Sequence, residues 1–148
     1  MKSSSEAIWI SSDTSKKELE ELFNKLVRMV EFDFWISVEE SPDRNSYWIA
    51  TPEDEMSEDE LLGIIEIDME TEPIIRIIAL AHEVGHFLLS QDEDFGSDNH
   101  KMFDESLAWY LGYKFFKDNG YIIDIKEYKA DARSCLQEYV RSLNEDSK

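Results

Sequence analysis

The chain has 148 residues, of which 34 are acidic and 15 are basic, giving a formal net charge of -19. Its length is typical of one domain and its hydrophobic fraction of 42% is sufficient for a core, so we predict a single domain over residues 1–148. So acidic a surface argues against direct binding to nucleic acid or to anionic membranes, and it favours a basic partner or substrate.

The cysteine content and the N-terminal sequence indicate the compartment. The single cysteine, Cys135, cannot form an intrachain disulfide, which fits a reducing compartment, and we interpret it as a half-buried thiol without a catalytic role. The N-terminal residues lack the cationic start and apolar run of a secretory signal, and no apolar run reaches the length of a membrane span. The sequence therefore predicts a cytoplasmic protein.

The first half of the chain is predicted to contain one helix and a small sheet. After a polar lead-in over residues 1–15, apolar residues at helical spacing predict an amphipathic helix over residues 16–30. Segments rich in aromatic and β-branched residues predict strands, of which the first two form a hairpin around turn residues. These strands are predicted over residues 32–40, 47–51 and 61–68. An acidic stretch at residues 52–60 is predicted to be a solvated loop.

The second half is predicted to be mainly helical. The three helices are predicted over residues 74–90, 102–119 and 126–143. A polar loop over residues 91–101 and a short extended connector over residues 121–125 separate them, and residues 144–148 are predicted to fray. The fold class is therefore α+β, with a small antiparallel or mixed three-stranded sheet packed on the helix of residues 74–90 and on further helices.

The helix predicted over residues 74–90 carries the pattern H-E-x-x-H at His82, Glu83 and His86. Residues four apart on a helix lie about 40° apart around its axis and about 6 Å apart along it, so both imidazoles can reach one metal ion. Glu83 points in an adjoining direction, where it can contact a water on that metal, as in metal-dependent hydrolases. The alternative is two hydrogen-bonded core histidines and a glutamate in a local ion pair. We favour the metal because ionisable groups on so apolar a helix are costly to bury unless they are paired or metal-bound.

A catalytic zinc ion usually takes three protein ligands and leaves one position for water. The extended pattern with a glycine and a third histidine is excluded, because Leu89 and Asp92 stand at those places. The downstream candidates for the third ligand are His100, Asp104 and Glu105, and we favour Glu105.

The sequence around Glu105 predicts close packing of two helices. Glu105, Ala108 and Gly112 lie on one helical face, which therefore combines a carboxylate with two small residues. Gly85 lies at the matching place on the facing helix. Because an interior glycine costs helix stability, both glycines indicate a close approach of the two backbones.

These features resemble the ImmA/IrrE-type zinc metallopeptidases of the gluzincin group, whose second motif is E-x-x-A-x-x-F-A. In this chain that motif reads Glu105-x-x-Ala108-x-x-Leu111-Gly112, and the resemblance covers residues 16–117. It implies one zinc ion bound by His82, His86 and Glu105, with Glu83 catalytic. It also implies a cytosolic enzyme, associated with phages, mobile elements or stress responses, that cuts a repressor. The thermolysin branch would place an aspartate where this chain has Trp109.

The predicted reaction is metal-dependent hydrolysis of a peptide bond in a protein substrate, with Glu83 moving the proton from water to the leaving amine. His100, Tyr110 and Tyr113 are candidates for stabilising the oxyanion, and the strand of residues 61–68 is a candidate edge for binding an extended substrate. Manganese or iron could replace zinc at such a site. Two alternatives remain open: a catalytically silent zinc-binding interaction protein, and an acidic decoy that mimics DNA.

Overall fold

The structure is a computed structural model that describes residues 7–51, 61–91 and 101–146. This part of the chain has a mixed α+β fold with four helices, a three-stranded sheet and a two-stranded sheet, which confirms the predicted fold class at this level. The helices are α1 (Lys16–Phe34), α2 (Pro73–Ser90), α3 (Lys101–Asp118) and α4 (Ile125–Asp146). The strands are β1 (Ile8–Ile10), β2 (Ser37–Glu40), β3 (Tyr47–Ala50), β4 (Gly63–Ile67) and β5 (Tyr121–Ile123). The acidic loop of residues 52–60 and most of the polar loop before α3, including His100, lie outside the described residues.

The three-stranded sheet has the order β2-β4-β3, with β4 parallel to β2 and antiparallel to β3. The predicted hairpin of the first two strands is therefore wrong, because β4 lies between them. The burial of β4 gives the reason: Gly63, Ile65 and Ile67 are all buried, whereas β2 and β3 contain no buried residue. The strand with the most apolar surface takes the central position, where both of its edges are paired and one face is covered.

Helix α1 continues through residues that were predicted to begin the first strand. It ends at Trp35, which has a left-handed conformation (φ 57°) and donates its backbone N–H to the carbonyl of Glu31. Phe34 is kept in the helix by packing, since its ring lies 4.7 Å from that of Phe87 and 4.8 Å from that of Phe115. Tertiary contacts thus outweigh the β propensity of the aromatic residues here.

Helix α2 is the central helix of the fold. It begins at Pro73, whose missing N–H costs nothing at that position, and packs against α1, α3 and the three-stranded sheet. Its 18 residues are long and apolar enough to cross a membrane by length and composition, which qualifies the prediction that no segment of the chain reaches that length. In this structure 61% of the helix is buried within the protein, as is typical of a core helix.

The N-terminal and C-terminal segments meet in the second sheet. Strand β1, which falls within the predicted polar lead-in, pairs in parallel with β5, the segment predicted as an extended connector. Ile10 and Ile123 of these strands are fully buried with Phe116 of α3. Helix α4 then extends to Asp146, past its predicted end at residue 143, and packs on α3.

Candidate metal centre

Three side chains with metal-binding atoms converge between α2 and α3. His82 and His86 project from α2, and Glu105 projects from the first turns of α3, with one ligand atom of each lying within 4.8 Å of the others. The Nε2 atoms of the histidines are 3.1 Å apart. The Glu105 carboxylate lies 2.6 Å from Nε2 of His82 and 3.2 Å from Nε2 of His86. The fold thus brings together the three residues predicted as ligands, whereas His100 and the side chain of Asp104 lie outside the described residues.

The spacing of these atoms suits a small tetrahedral cation. With zinc–nitrogen distances of about 2.0–2.1 Å, ligand atoms at tetrahedral angles lie about 3.3 Å apart. The Nε2–Nε2 distance and the His86–Glu105 distance are both close to this value. The His82–Glu105 distance is that of a hydrogen bond, so the carboxylate would move by less than an ångström to bind the same ion. Two imidazoles and a carboxylate suit zinc and also accept manganese or iron.

The pKa shifts of His82 and Glu105 suit cation binding. Burial lowers the pKa of His82, although the carboxylate of Glu105 opposes this effect. Burial would raise the pKa of Glu105, but hydrogen bonds from His82 and His86 outweigh it and lower that pKa below its usual range. A neutral imidazole and an ionised carboxylate are the forms that bind a metal ion.

Glu83 lies beside the cluster and is not one of its three members. Its side chain is 4% exposed, and its Oε2 lies 3.5 Å from Nδ1 of His82, on the ring edge away from the cluster. Burial raises the pKa of Glu83 to about 8, even though the backbone N–H of Trp48 donates a hydrogen bond to its carboxylate. A carboxyl group with a pKa near neutrality can both take and return a proton.

The predicted close packing of α2 and α3 is confirmed. A Cβ added at Gly85 would lie 1.7 Å from the carbonyl oxygen of Ala108, and one added at Gly112 would lie 1.8 Å from the carbonyl oxygen of Ala81. Only glycine permits these two approaches, which are reciprocal across the helix pair. They bring Glu105 within reach of the histidines one helix away.

Two residues at the site were missed by the sequence analysis. The indole ring of Trp109 stacks on the imidazole of His82, with centroids 4.0 Å apart and planes at 10°. Trp109 follows Glu105 by four residues, so helical spacing could have placed it on the same face. Cys135 is half-buried, as predicted, but its thiol lies 3.9 Å from Oε1 of Glu105, and burial followed by the charge of Glu105 raises its pKa. No local pattern indicates a contact with a residue 30 positions away.

A cavity of about 420 Å³ opens onto the cluster. Its lining contains the three cluster residues, Glu83 and Cys135. It also contains Ser46, which precedes β3, and the first two residues of β3, Tyr47 and Trp48. Neither Tyr110 nor Tyr113 is part of this lining: Tyr110 is exposed, and the ring of Tyr113 packs on that of Tyr128. The structure thus offers no support for either tyrosine as an oxyanion donor, and His100 lies outside the described residues.

Among the described strands, β3, and not β4, has an unpaired edge beside this cavity. Because β4 is paired on both sides, the prediction that it offers an edge to a substrate is wrong. The Thr51 N–H donates to the Leu62 carbonyl, which continues the antiparallel register of β3 with β4. Alternation along that register turns the N–H and C=O groups of Trp48 and Ala50 to the outer edge. The hydrogen bond from Trp48 to Glu83 agrees with this direction.

Comparisons with protein-family models, with curated proteins and with solved structures gave no match.

Proposed function

We propose that the protein is a zinc-dependent metalloendopeptidase that hydrolyses a peptide bond in a protein substrate. The observation that carries this proposal is the convergence of His82, His86 and Glu105 within 4.8 Å, with the buried carboxyl of Glu83 beside them. A purely structural cluster would need neither the open cavity in front of it nor a second buried carboxyl beside it. Zinc is the metal that this ligand set most often binds in hydrolases.

The three cluster residues, Trp109 and Glu83 have different roles in the proposed reaction. His82, His86 and Glu105 would hold the metal, and the stack of Trp109 on His82 would fix the orientation of that imidazole. When bound, zinc would polarise the scissile carbonyl and lower the pKa of a water molecule to about 7. Glu83 would take a proton from the attacking water and return it to the leaving amine.

The free edge of β3 supplies a way to hold an extended substrate. The carbonyl of Trp48 and the N–H of Ala50 face outwards at the edge nearest the cavity, where a substrate strand can pair with them. Such pairing would place the substrate backbone beside Glu83. This pairing would recognise only the substrate backbone, so sequence specificity would come from pockets that bind substrate side chains.

The proposed biological setting rests on the resemblance to a peptidase family and on the acidic net charge. The similarity to ImmA/IrrE-type peptidases supports a cytoplasmic enzyme of a phage, mobile element or stress response that cuts a regulator or repressor. The net charge of -19 favours a basic substrate, as DNA-binding regulators often are.

The first test is the metal content of untagged protein, compared between the wild type, Glu105→Ala and the control Glu21→Ala. Glu21 is exposed on α1, so its loss removes a carboxylate without touching the site. We expect about one zinc per chain in the wild type and control, and an affinity at least about 100-fold weaker in Glu105→Ala, since it loses a direct ligand. Absence of metal in the wild type after zinc is supplied would refute the proposal.

The second test separates an enzyme from a silent zinc-binding protein. Glu83→Gln keeps the shape of the side chain but removes the proton acceptor, so it should retain zinc and lose cleavage by about 100-fold or more. Zinc binding with no cleavage by the wild type would favour the silent zinc-binding protein. Competition with DNA for a basic protein, in the absence of any metal, would favour the acidic decoy.

A further inference from the structure

A second cavity of about 410 Å³ adjoins the candidate metal centre on the side of α4. His82, Glu83 and Cys135 line both this cavity and the one that faces β3, so the two meet at the cluster. Helices α2 and α4 both pack on α3, and the second cavity separates their facing sides. Its volume lies within the about 300–1,000 Å³ of typical ligand pockets.

Beyond His82 and Glu83, the wall formed by α2 and α3 is apolar. This apolar part consists of Ile75, Ile78, Ala79 and the indole of Trp109. On this wall the side chain of Ile75 is 38% exposed, whereas that of Ile78 is 2% exposed. The indole N–H of Trp109 is buried and forms no hydrogen bond of ordinary geometry among the described residues, although it lies near enough to the Cys135 thiol to oppose the rise in the pKa of that thiol.

The opposite wall, formed by α4, is acidic. Asp131, Ser134, Cys135 and Glu138 follow one another at helical spacing and face the cavity. Glu138 pairs with Arg141 at 2.8 Å, but Asp131 is half-buried and forms no ion pair within the described part of the chain. Burial and the neighbouring charge of Glu127 raise the pKa of Asp131, so its ionised form lacks a compensating cation. Among the residues that the structure describes, no lysine or arginine lines this cavity.

An apolar wall that ends at an uncompensated carboxylate matches one kind of side chain. Lysine and arginine bury an aliphatic stem along apolar surface and present a cation at its end. We propose that the second cavity binds a lysine or arginine side chain of the substrate beside the cleaved bond, and that Asp131 selects it. This inference rests on the proposed peptidase function. The stem packs on Ile75, Ile78 and Trp109, while the cation pairs with Asp131.

The test profiles cleavage of a peptide library by the zinc-loaded full-length protein. Peptides produced by a glutamate-specific protease keep their internal lysines and arginines, and mass spectrometry identifies the residues around each cut. We expect a basic residue to be preferred about tenfold over leucine or methionine at one position next to the cut. Asp131→Asn should lose this preference and Asp131→Lys should favour an acidic residue there. The control Asp33→Asn, on an exposed part of α1 outside both cavities, should retain the wild-type profile.

A binding measurement keeps the two proposals separable. N-acetyl-lysinamide should shift the NMR signals of the Ile75 and Ile78 methyl groups and of the Trp109 indole N–H, and N-acetyl-norleucinamide should shift them far less. Asp131→Asn should abolish the difference. Cleavage without a basic preference, or a preference unchanged by Asp131→Asn, would overturn the assignment of the cavity and leave the peptidase standing. No cleavage at all would count against the peptidase, and equal shifts from the two amides would then overturn the cavity as well.

Discussion

Adding one methyl group at Gly85 tests how the packing of α2 on α3 positions the candidate metal ligands. The new Cβ of Gly85→Ala would lie 1.7 Å from the carbonyl oxygen of Ala108, a backbone atom that cannot rotate away. An ordinary contact is about 3.5 Å, so α2 and α3 must separate by more than about 1 Å. Because Glu105 lies on α3 and both histidines lie on α2, the same movement pulls the carboxylate away from the two imidazoles.

The magnitude is set by two opposing effects. Overpacking a well-packed contact costs about 1–3 kcal/mol, and rigid backbone on both sides favours the upper end of that range. Replacing an interior helical glycine with alanine stabilises the helix by about 1 kcal/mol, because alanine has the higher helix propensity. We therefore expect a net loss of about 1–2 kcal/mol in the free energy of unfolding, which lowers Tm by about 2–8 °C for a chain of this length.

The assay is thermal unfolding with and without zinc. A metal at 100 times its Kd stabilises a protein by about 2.7 kcal/mol, and this increment falls as the Kd rises. Gly85→Ala should lower Tm without zinc and should also lose most of the zinc-induced increase. The control Lys114→Ala removes an exposed ion pair with Asp118 on α3 and should change stability by at most about 0.5 kcal/mol. A Gly85→Ala protein as stable and as responsive to zinc as the wild type would refute the close packing and the way it positions Glu105.

Three further substitutions test single contacts by urea denaturation. Ser15→Ala removes the side chain that accepts a hydrogen bond from the Glu18 N–H at the start of α1, and should cost about 1 kcal/mol; an unchanged midpoint would exclude this cap. Glu72→Ser places a capping hydroxyl where α2 has no side-chain cap, and should add about 0.5–1 kcal/mol, whereas a loss would show that the carboxylate matters more there. Tyr128→Phe removes the buried hydrogen bond, 2.5 Å long, from its hydroxyl to the Trp109 carbonyl, and should cost about 1 kcal/mol and loosen α4 on α3; no change would mean that packing alone holds the two helices.

Local patterns predicted the helices and the cluster well. The helix predicted over residues 74–90 is observed as Pro73–Ser90, and the spacing of its histidines placed both on one side. The facing glycines correctly predicted the close approach of α2 and α3. The metal and the activity of His82, Glu83, His86 and Glu105 stay predictions.

Local sequence patterns could not predict the strand order of the sheet or the residues that line the cavities. The hairpin prediction failed because the order of strands depends on which strand gains most from central burial, and that is decided by pairing between distant segments. Helix α1 continued through Phe34 because the rings of Phe87 and Phe115, far along the chain, cover it.

The sequence by itself determined a helical metal-binding pattern, because helix periodicity is a property of neighbouring residues and repeats every 3.6 positions. Only the tertiary structure decided that β3 has the free edge, that Trp109 stacks on His82, and that Asp131 and Cys135 of α4 face the candidate site. These placements arise from the packing of elements far apart in the chain, which minimises exposed apolar surface over the whole fold. A local pattern can specify the face of one helix, but it carries no information about which distant element will cover that face.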